Sequence, residues 1–374
     1  MRRAEHTRSS VNCWRRVRPP LLGVMQAAVV LSLLTACGSP GQSPTPNPPP
    51  LAKELIFYDW AGDSIEAIFE SFALEYGIEV EYVVYETPEE AVENIRAGQQ
   101  YDVVVLENEY VPSLVDEGLL ARIDYRNVPN FNHISANFRD LAYDPGNKHS
   151  IPYSWGTTGL VVRTDLVEEP VTGWSDMWDL RYTGKVVGWL IPRYTLGAAL
   201  KSLGYSINSE DTGELEDALQ HLIALKPNAI WLTTEDTAAY HLASEEAIMA
   251  LGWAYDAQIG QEEHEAIDYI LPEEGTILWG DNFVIPAKSS HKYEAELFFN
   301  FILRPEVTAQ IVSLNYYPMA SEAAVPFIDP EILNDPVIYP RNEDLRNAEI
   351  LLPLSPEGER LYAQIWERFV AAEP

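Results

Sequence analysis

Residues 101–107, YDVVVLE, constrain the fold more than any other stretch of this chain. A strand with one face in water alternates apolar and polar residues. Three valines and a leucine in succession need cover on both faces, as in a buried strand of a parallel sheet with helices above and below. The neighbouring sequence agrees. LIFYDW (55–60) reads as a strand, and Ile65, Ile68, Phe69 and Phe72 follow at helical spacing until Gly77. GIEVEYVVYE (77–86) alternates like another strand. Thr87-Pro88-Glu89-Glu90 then offers a helix cap, a proline at the first helical position and a capping-box glutamate. Repeated βα units of this kind define an α/β lobe.

Further along, IPYSWGTTGLVVRTD (151–165) reads as one long strand, and GKVVGWLI, AIWLT and IMALGWAYD supply more strands with helices between them. HKYEAELFFNFILRPEVTAQIVSL gives two helices divided near Pro305, and EGERLYAQIWERFV gives a last one. A body of this length exceeds one ordinary core, so two domains are expected.

The first fifty residues have another character. Six arginines precede the apolar run 21–36, which ends Leu34-Thr35-Ala36-Cys37-Gly38-Ser39. This is the layout of an export signal, and it is shorter than a membrane span of about 20 residues. Its end resembles a bacterial lipobox, which implies cleavage before Cys37 and acylation of that cysteine. The Pro, Gly and Ser tract that follows would serve as a tether (37–53). The expected location is the outer face of the cytoplasmic membrane, held by a lipid anchor alone. Loss of Cys13 with the signal would leave the body without a disulfide.

Fifty-seven acidic residues against 25 basic ones give a formal charge of −32, which makes nucleic acid and anionic substrates poor partners. GxSxG, GxxxxGK[ST], HExxH and a strand-to-helix GxGxxG are all absent from the sequence, so no enzyme, cofactor or resident metal is expected. A secreted glycosidase, which needs only two suitably spaced acids, is the enzymatic alternative.

Aromatic residues beside acids recur at strand ends, where ligands of α/β sheets sit. Trp60 lies between Asp59 and Asp63, Glu107 and Glu109 follow the buried strand, and Trp253 and Asp256 close IMALGWAYD. Trp279 and Asp281 lie two apart in TILWGDNFVIPA (276–287), hence on one face of a strand. A carboxylate beside aromatic faces suits an ammonium group, held by a charge-assisted hydrogen bond and by cation–π contacts of about 0.5–2 kcal/mol each.

FYDW, YDVVVLENEYV, IPYSWGTTGL, GWAYD, ILWGDNFVIPA and FILRPEVTAQIVSLNYYP occur in the order and spacing of the periplasmic spermidine/putrescine-binding proteins of ABC importers. The chain resembles that family over nearly all of residues 54–374. The resemblance implies an α/β, two-lobed periplasmic-binding-protein fold of type II with a ligand cleft between the lobes. Residues 54–157 and 280–322 would form the first lobe, and 158–279 and 323–374 the second. Crossovers would lie near residues 156–158, 279–281 and 318–325. A monomer delivering a small cationic amine to a permease is the implied function. Position by position, the resemblance places Trp60, Trp253, Asp256, Trp279, Asp281 and Tyr317 at the ligand, with Asp63 near an acid of putrescine-type members.

Two departures stand out. Glu107 and Glu109 replace small hydroxyl or aromatic residues, and the loop after VVGW carries Ile191, Arg193 and Tyr194 where one or two acids are usual. Either Glu107, Glu109 or Glu235 then meets the far amine, or the ligand is shorter or not a plain polyamine. If Arg193 faces the cleft, the ligand would instead carry a carboxylate, as an amino-acid derivative does. Tyr316 and Tyr317 side by side also resemble the paired phenolates of ferric-ion receptors.

Overall fold

The structure is a computed structural model that describes residues 50–60, 65–233, 238–341 and 343–373. The expected leader and Cys37, as well as Asp63 and Glu235, lie outside the described residues.

The predicted βα units form as their sequence dictates. Strand β1 (Glu54–Trp60) pairs in parallel with β2 (Glu79–Tyr85) on one side and β3 (Val103–Glu107) on the other. Between β1 and β2 the helix Glu66–Tyr76 stops at Gly77, whose φ of 71° is left-handed and whose N–H reaches the Ala73 carbonyl at 2.8 Å. The helix Pro88–Ala97 is capped by Thr87, which accepts the Glu90 N–H at 3.2 Å. The Glu90 carboxylate turns back to the Glu86 N–H at 3.0 Å, one residue earlier than a capping box requires. All five residues of β3 are buried, as continuous β-branched sequence demands.

The remaining strands are β4 (Ser150–Arg163), β5 (Val186–Trp189), β6 (Ala229–Leu232), β7 (Met249–Trp253), β8 (Ile267–Ile270), β9 (Ile277–Val284) and β10 (Glu349–Ile350). One sheet contains all ten, with main order β2-β1-β3-β9-β4-β7-β5-β6. Its centre is a ribbon of the two longest strands, β4 and β9, which run antiparallel with a register shift between Pro152 and Trp155. β3 adds to one side of the ribbon and β7 to the other.

Apolar residues collect at both ends of this ribbon. One core joins Leu55, Phe57, Phe72, Tyr153, Phe283 and Phe298, with the opposite sheet face covered by Tyr58, Val92 and Leu106. The other joins Leu160, Trp174, Val187, Leu251 and Ile277, with Leu196, Leu219, Tyr362 and Phe369 on a second face. The result is two helix–sheet–helix lobes that share one sheet.

Ala324 and Ile328, which the sequence reading gave to the second lobe, pack in the first core. The chain reaches the second core at Val337 and Leu351. Residues 318–320 lie along the first half of β4, the Trp155 N–H donating to the Pro318 carbonyl at 3.0 Å and the Ala320 N–H to the Tyr153 carbonyl at 2.8 Å.

Candidate functional site

The central ribbon sets the site. In β9, Trp279 and Asp281 point to the same face. Their cross-strand partners differ: Trp279 is opposite Gly156 of β4, and Asp281 is opposite Glu107 of β3. The glycine lets the indole lie against the backbone, since a Cβ at 156 would stand 2.3 Å from Trp279 Cζ2. Beneath the site, Asn282 accepts the Tyr143 hydroxyl at 2.8 Å and donates to Asn108 Oδ1 at 2.8 Å, holding β9 against the residues that follow β3.

Two carboxylates directly opposite on neighbouring strands repel each other. Glu107 is 4% exposed, and burial, then Glu109, then Asp281 hold its carboxyl well above the usual range. The Tyr194 hydroxyl works against this by donating to Glu107 Oε1 at 2.6 Å. Asp281 accepts the Ser154 hydroxyl at 3.1 Å.

A cavity of about 190 Å³ opens over this acid pair. Trp60, Glu86 and Glu107 line it from the first lobe, Trp189, Ile191, Tyr194 and Trp253 from the second, and Trp279, Asp281 and Tyr317 from the seam. The rings brace one another. Trp279 and Tyr317 meet edge to face at 5.1 Å and 88°, Tyr194 and Trp253 at 5.5 Å and 78°, and Trp189 packs on Trp253 at 5.6 Å. The Trp189 indole N–H is fixed on the Leu251 carbonyl at 2.7 Å. The Tyr194–Glu107 hydrogen bond joins the lobes across the cavity.

Six of the sequence-selected residues therefore converge: Trp60, Glu107, Trp253, Trp279, Asp281 and Tyr317. Two others do not. Glu109 lines a separate cavity behind Glu107. Asp256, expected at the ligand, accepts the Trp253 backbone N–H at 2.9 Å as the third residue of the helix Ala254–Glu263. Burial pushes its carboxyl up to about 6, and the Trp253 N–H opposes the shift. A carboxylate three residues after a strand end can accept an orphan N–H at the start of the following helix, and Asp256 does so.

Arg193 faces the neighbouring cavity, not this one. It is 8% exposed, donates to the Leu352 carbonyl at 3.1 Å and Asn208 Oδ1 at 3.0 Å, and lies over the Tyr362 ring at 5.3 Å. Tyr316 and Tyr317 also diverge. Tyr316 takes a left-handed φ of 55° and lines an outer recess with Tyr255 and Gln258, so the two phenols do not converge as a metal pair.

Glu86, Trp189, Ile191 and Tyr194 also line the cavity and are not among the residues the sequence singles out as ligand-binding. Glu86 and Trp189 follow or end strands, the same signal that picked out Trp60 and Trp253. Tyr194 had none, because its value depends on a hydrogen bond to a residue 87 positions away.

Two α/β lobes on a shared ribbon, with an aromatic and acidic cavity at the seam, are the architecture of the periplasmic binding proteins. The chain belongs to the bacterial extracellular solute-binding proteins, whose family model matches residues 67–338. It is 33% identical to the spermidine/putrescine-binding periplasmic protein of Escherichia coli K12 over 298 residues, which is 79% of this chain and 85% of that protein. Among solved structures, the spermidine/putrescine ABC transporter substrate-binding protein PotD of Streptococcus pneumoniae superposes with a TM-score of 0.74 at 29% identity, covering 85% of this chain and 99% of that one. The Tp0655 (TpPotD) lipoprotein of Treponema pallidum gives 0.76 at 25% identity, covering 84% and 99%.

Proposed function

We propose that this protein is the receptor of an ABC importer for a linear polyamine, closing its two lobes over the ligand at the β4–β9 ribbon and releasing it to a permease. The observation that carries this reading is the Glu107–Asp281 pair, two carboxylates paired across neighbouring strands under a roof of tryptophan and tyrosine. A cation between them would offset the mutual repulsion of the two acids. In this reading Asp281 and Glu107 meet ammonium groups, Trp60, Trp189, Trp253 and Trp279 flank the methylenes, and Tyr317 braces Trp279. Micromolar binding needs about 8 kcal/mol net, which several cation–π contacts and charge-assisted hydrogen bonds supply together.

The same proposal covers what surrounds the binding event. The protein acts as a monomer without catalysis, and its export signal (1–36) ends before Cys37, whose lipid anchor and proline-rich tether hold the lobes at the outer face of the cytoplasmic membrane. The name of the Treponema neighbour as a lipoprotein supports the anchor. Replacing Cys37 by Ala should move the protein from the membrane fraction to the soluble one.

A second reading, an amino-acid derivative as ligand, is favoured by one observation: the buried Trp279 indole N–H finds no acceptor among the described residues, and a ligand oxygen would supply one.

Thermal-shift and calorimetric titration with putrescine, spermidine, spermine, agmatine and γ-aminobutyrate separates these readings. Binding stabilises by RT ln(1 + [L]/Kd), so a cationic amine at 100 Kd adds about 2.7 kcal/mol. Asp281→Asn should abolish the effect. Stabilisation by γ-aminobutyrate and by no diamine would replace the first reading with the second.

A further inference from the structure

Behind the Glu107–Tyr194 contact lies a second cavity between the lobes, larger than the first at about 440 Å³. Its deepest acid is Glu109, 7% exposed, neither of whose carboxylate oxygens accepts a well-formed hydrogen bond among the described residues. The groups close enough to favour its charge are Arg193, its own backbone amide and the Glu107 carboxyl, and burial still outweighs them. A carboxylate left this way inside a cavity wants a donor.

The other charges around the space leave it negative. Glu89, Glu93, Glu359 and Glu367 line it with Glu109, against Arg96 and Arg193. Arg96 is committed to Glu117 at 2.6 Å, and Arg193 to Leu352, Asn208 and the Tyr362 ring. Tyr110 and Trp366 provide aromatic surface. The partition from the first cavity is thin: Ile191 and Tyr194 line one side, Pro192 and Arg193 the other, and Glu107 and Glu109 stand two residues apart across it.

We propose that the second cavity is a distal subsite for the far cationic end of a long polyamine, with Glu109 as counter-charge, reached by displacing the Tyr194 hydroxyl from Glu107. The inference rests on the first cavity being an ammonium site. A short diamine fills that cavity alone, whereas a longer chain passes Tyr194 and exchanges its hydrogen bond for a charge-assisted one at Glu109. This supplies the far-end acid that the loop at 191–194 lacks.

The test is calorimetric titration of the folded protein with straight-chain α,ω-diamines of four to ten carbons and with spermidine. In the wild type the affinity should step up once the chain is long enough to pass Tyr194. Glu109→Gln should lower the long-to-short affinity ratio about tenfold. The double variant Glu359→Gln with Glu367→Gln, on the accessible outer helix Pro356–Ala371, should lower it about two- to threefold without touching a buried group. An unchanged ratio in both variants, with Asp281→Asn still abolishing short-diamine binding, overturns the distal subsite alone. Short-diamine binding that survives Asp281→Asn overturns the first-cavity reading and this inference with it.

Discussion

Gly156 is the most demanding position in the site. Replacing it by alanine puts a methyl 2.3 Å from Cζ2, 2.7 Å from Cε2 and 3.0 Å from Cη2 of Trp279, where ordinary contact begins at 3.4 Å. The indole must therefore retreat by about 1 Å or more. Tyr317 stands edge-on behind it at 5.1 Å, and Trp279 is only 7% exposed, so it cannot simply swing into water. Overpacking of this kind costs about 1–3 kcal/mol. At roughly 2 °C per kcal/mol for a body of this size, the melting temperature should fall by about 2–6 °C. Losing one cation–π face of about 0.5–2 kcal/mol should weaken amine binding by roughly 2- to 30-fold. Differential scanning fluorimetry and calorimetric titration read the two effects separately. Shortening the ring in the same background, Trp279→Phe with Gly156→Ala, should recover part of the melting temperature, giving a coupling energy of opposite sign to the single losses. A Gly156→Ala protein with wild-type melting temperature and wild-type affinity would refute the packing argument outright.

Other outcomes follow from the charges. Burial and the neighbouring acids raise the Glu107 carboxyl, so if an ammonium group meets it as proposed, binding should favour the ionised form and amine affinity should rise as pH rises through the Glu107 titration. Titrations in buffers of different ionisation enthalpy should show net proton release on binding, smaller in Glu107→Gln. Asp256 is raised from 3.8 to about 6, so the folded state holds a proton that the unfolded state has lost, and stability should fall as pH rises from about 4 to 6. The loss is at most about 3 kcal/mol, and Asp256→Asn, which keeps the acceptor for the Trp253 N–H, should flatten that part of the denaturation profile. Tyr194→Phe removes the hydrogen bond between the lobes, worth about 0.5–3 kcal/mol depending on the charge of Glu107, and should enlarge the unliganded protein in small-angle scattering.

Local chemistry was legible in the sequence and long-range register was not. Caps, helix stops and the buried strand 103–107 depend on residues within one turn or one strand of each other, and the structure realises them. The shared face of Trp279 and Asp281 follows from an i, i+2 spacing alone. That Asp281 would stand opposite Glu107 depends on β9 inserting antiparallel beside β3 from 174 residues away. No local pattern encodes that. Asp256 shows the opposite case: its chemistry beside a tryptophan looks like a ligand acid, and the contact the structure gives it is local, the Trp253 N–H at the start of its own helix. Arg193 behaves likewise, drawn to a carbonyl and an asparagine of its own lobe.

The ribbon of β4 and β9 gives binding an order in time. Its two strands are hydrogen-bonded to each other on both sides of the shift between Pro152 and Trp155, so the ribbon ties both lobes to one floor. Trp279 and Asp281 belong to that floor, while Trp60, Trp189 and Trp253 travel with the walls. If the lobes close over an amine as proposed, the ligand should meet Asp281 before it meets most of the aromatic walls. Changes at Asp281 should register first in the association rate and its salt dependence, and changes at the wall tryptophans in residence time.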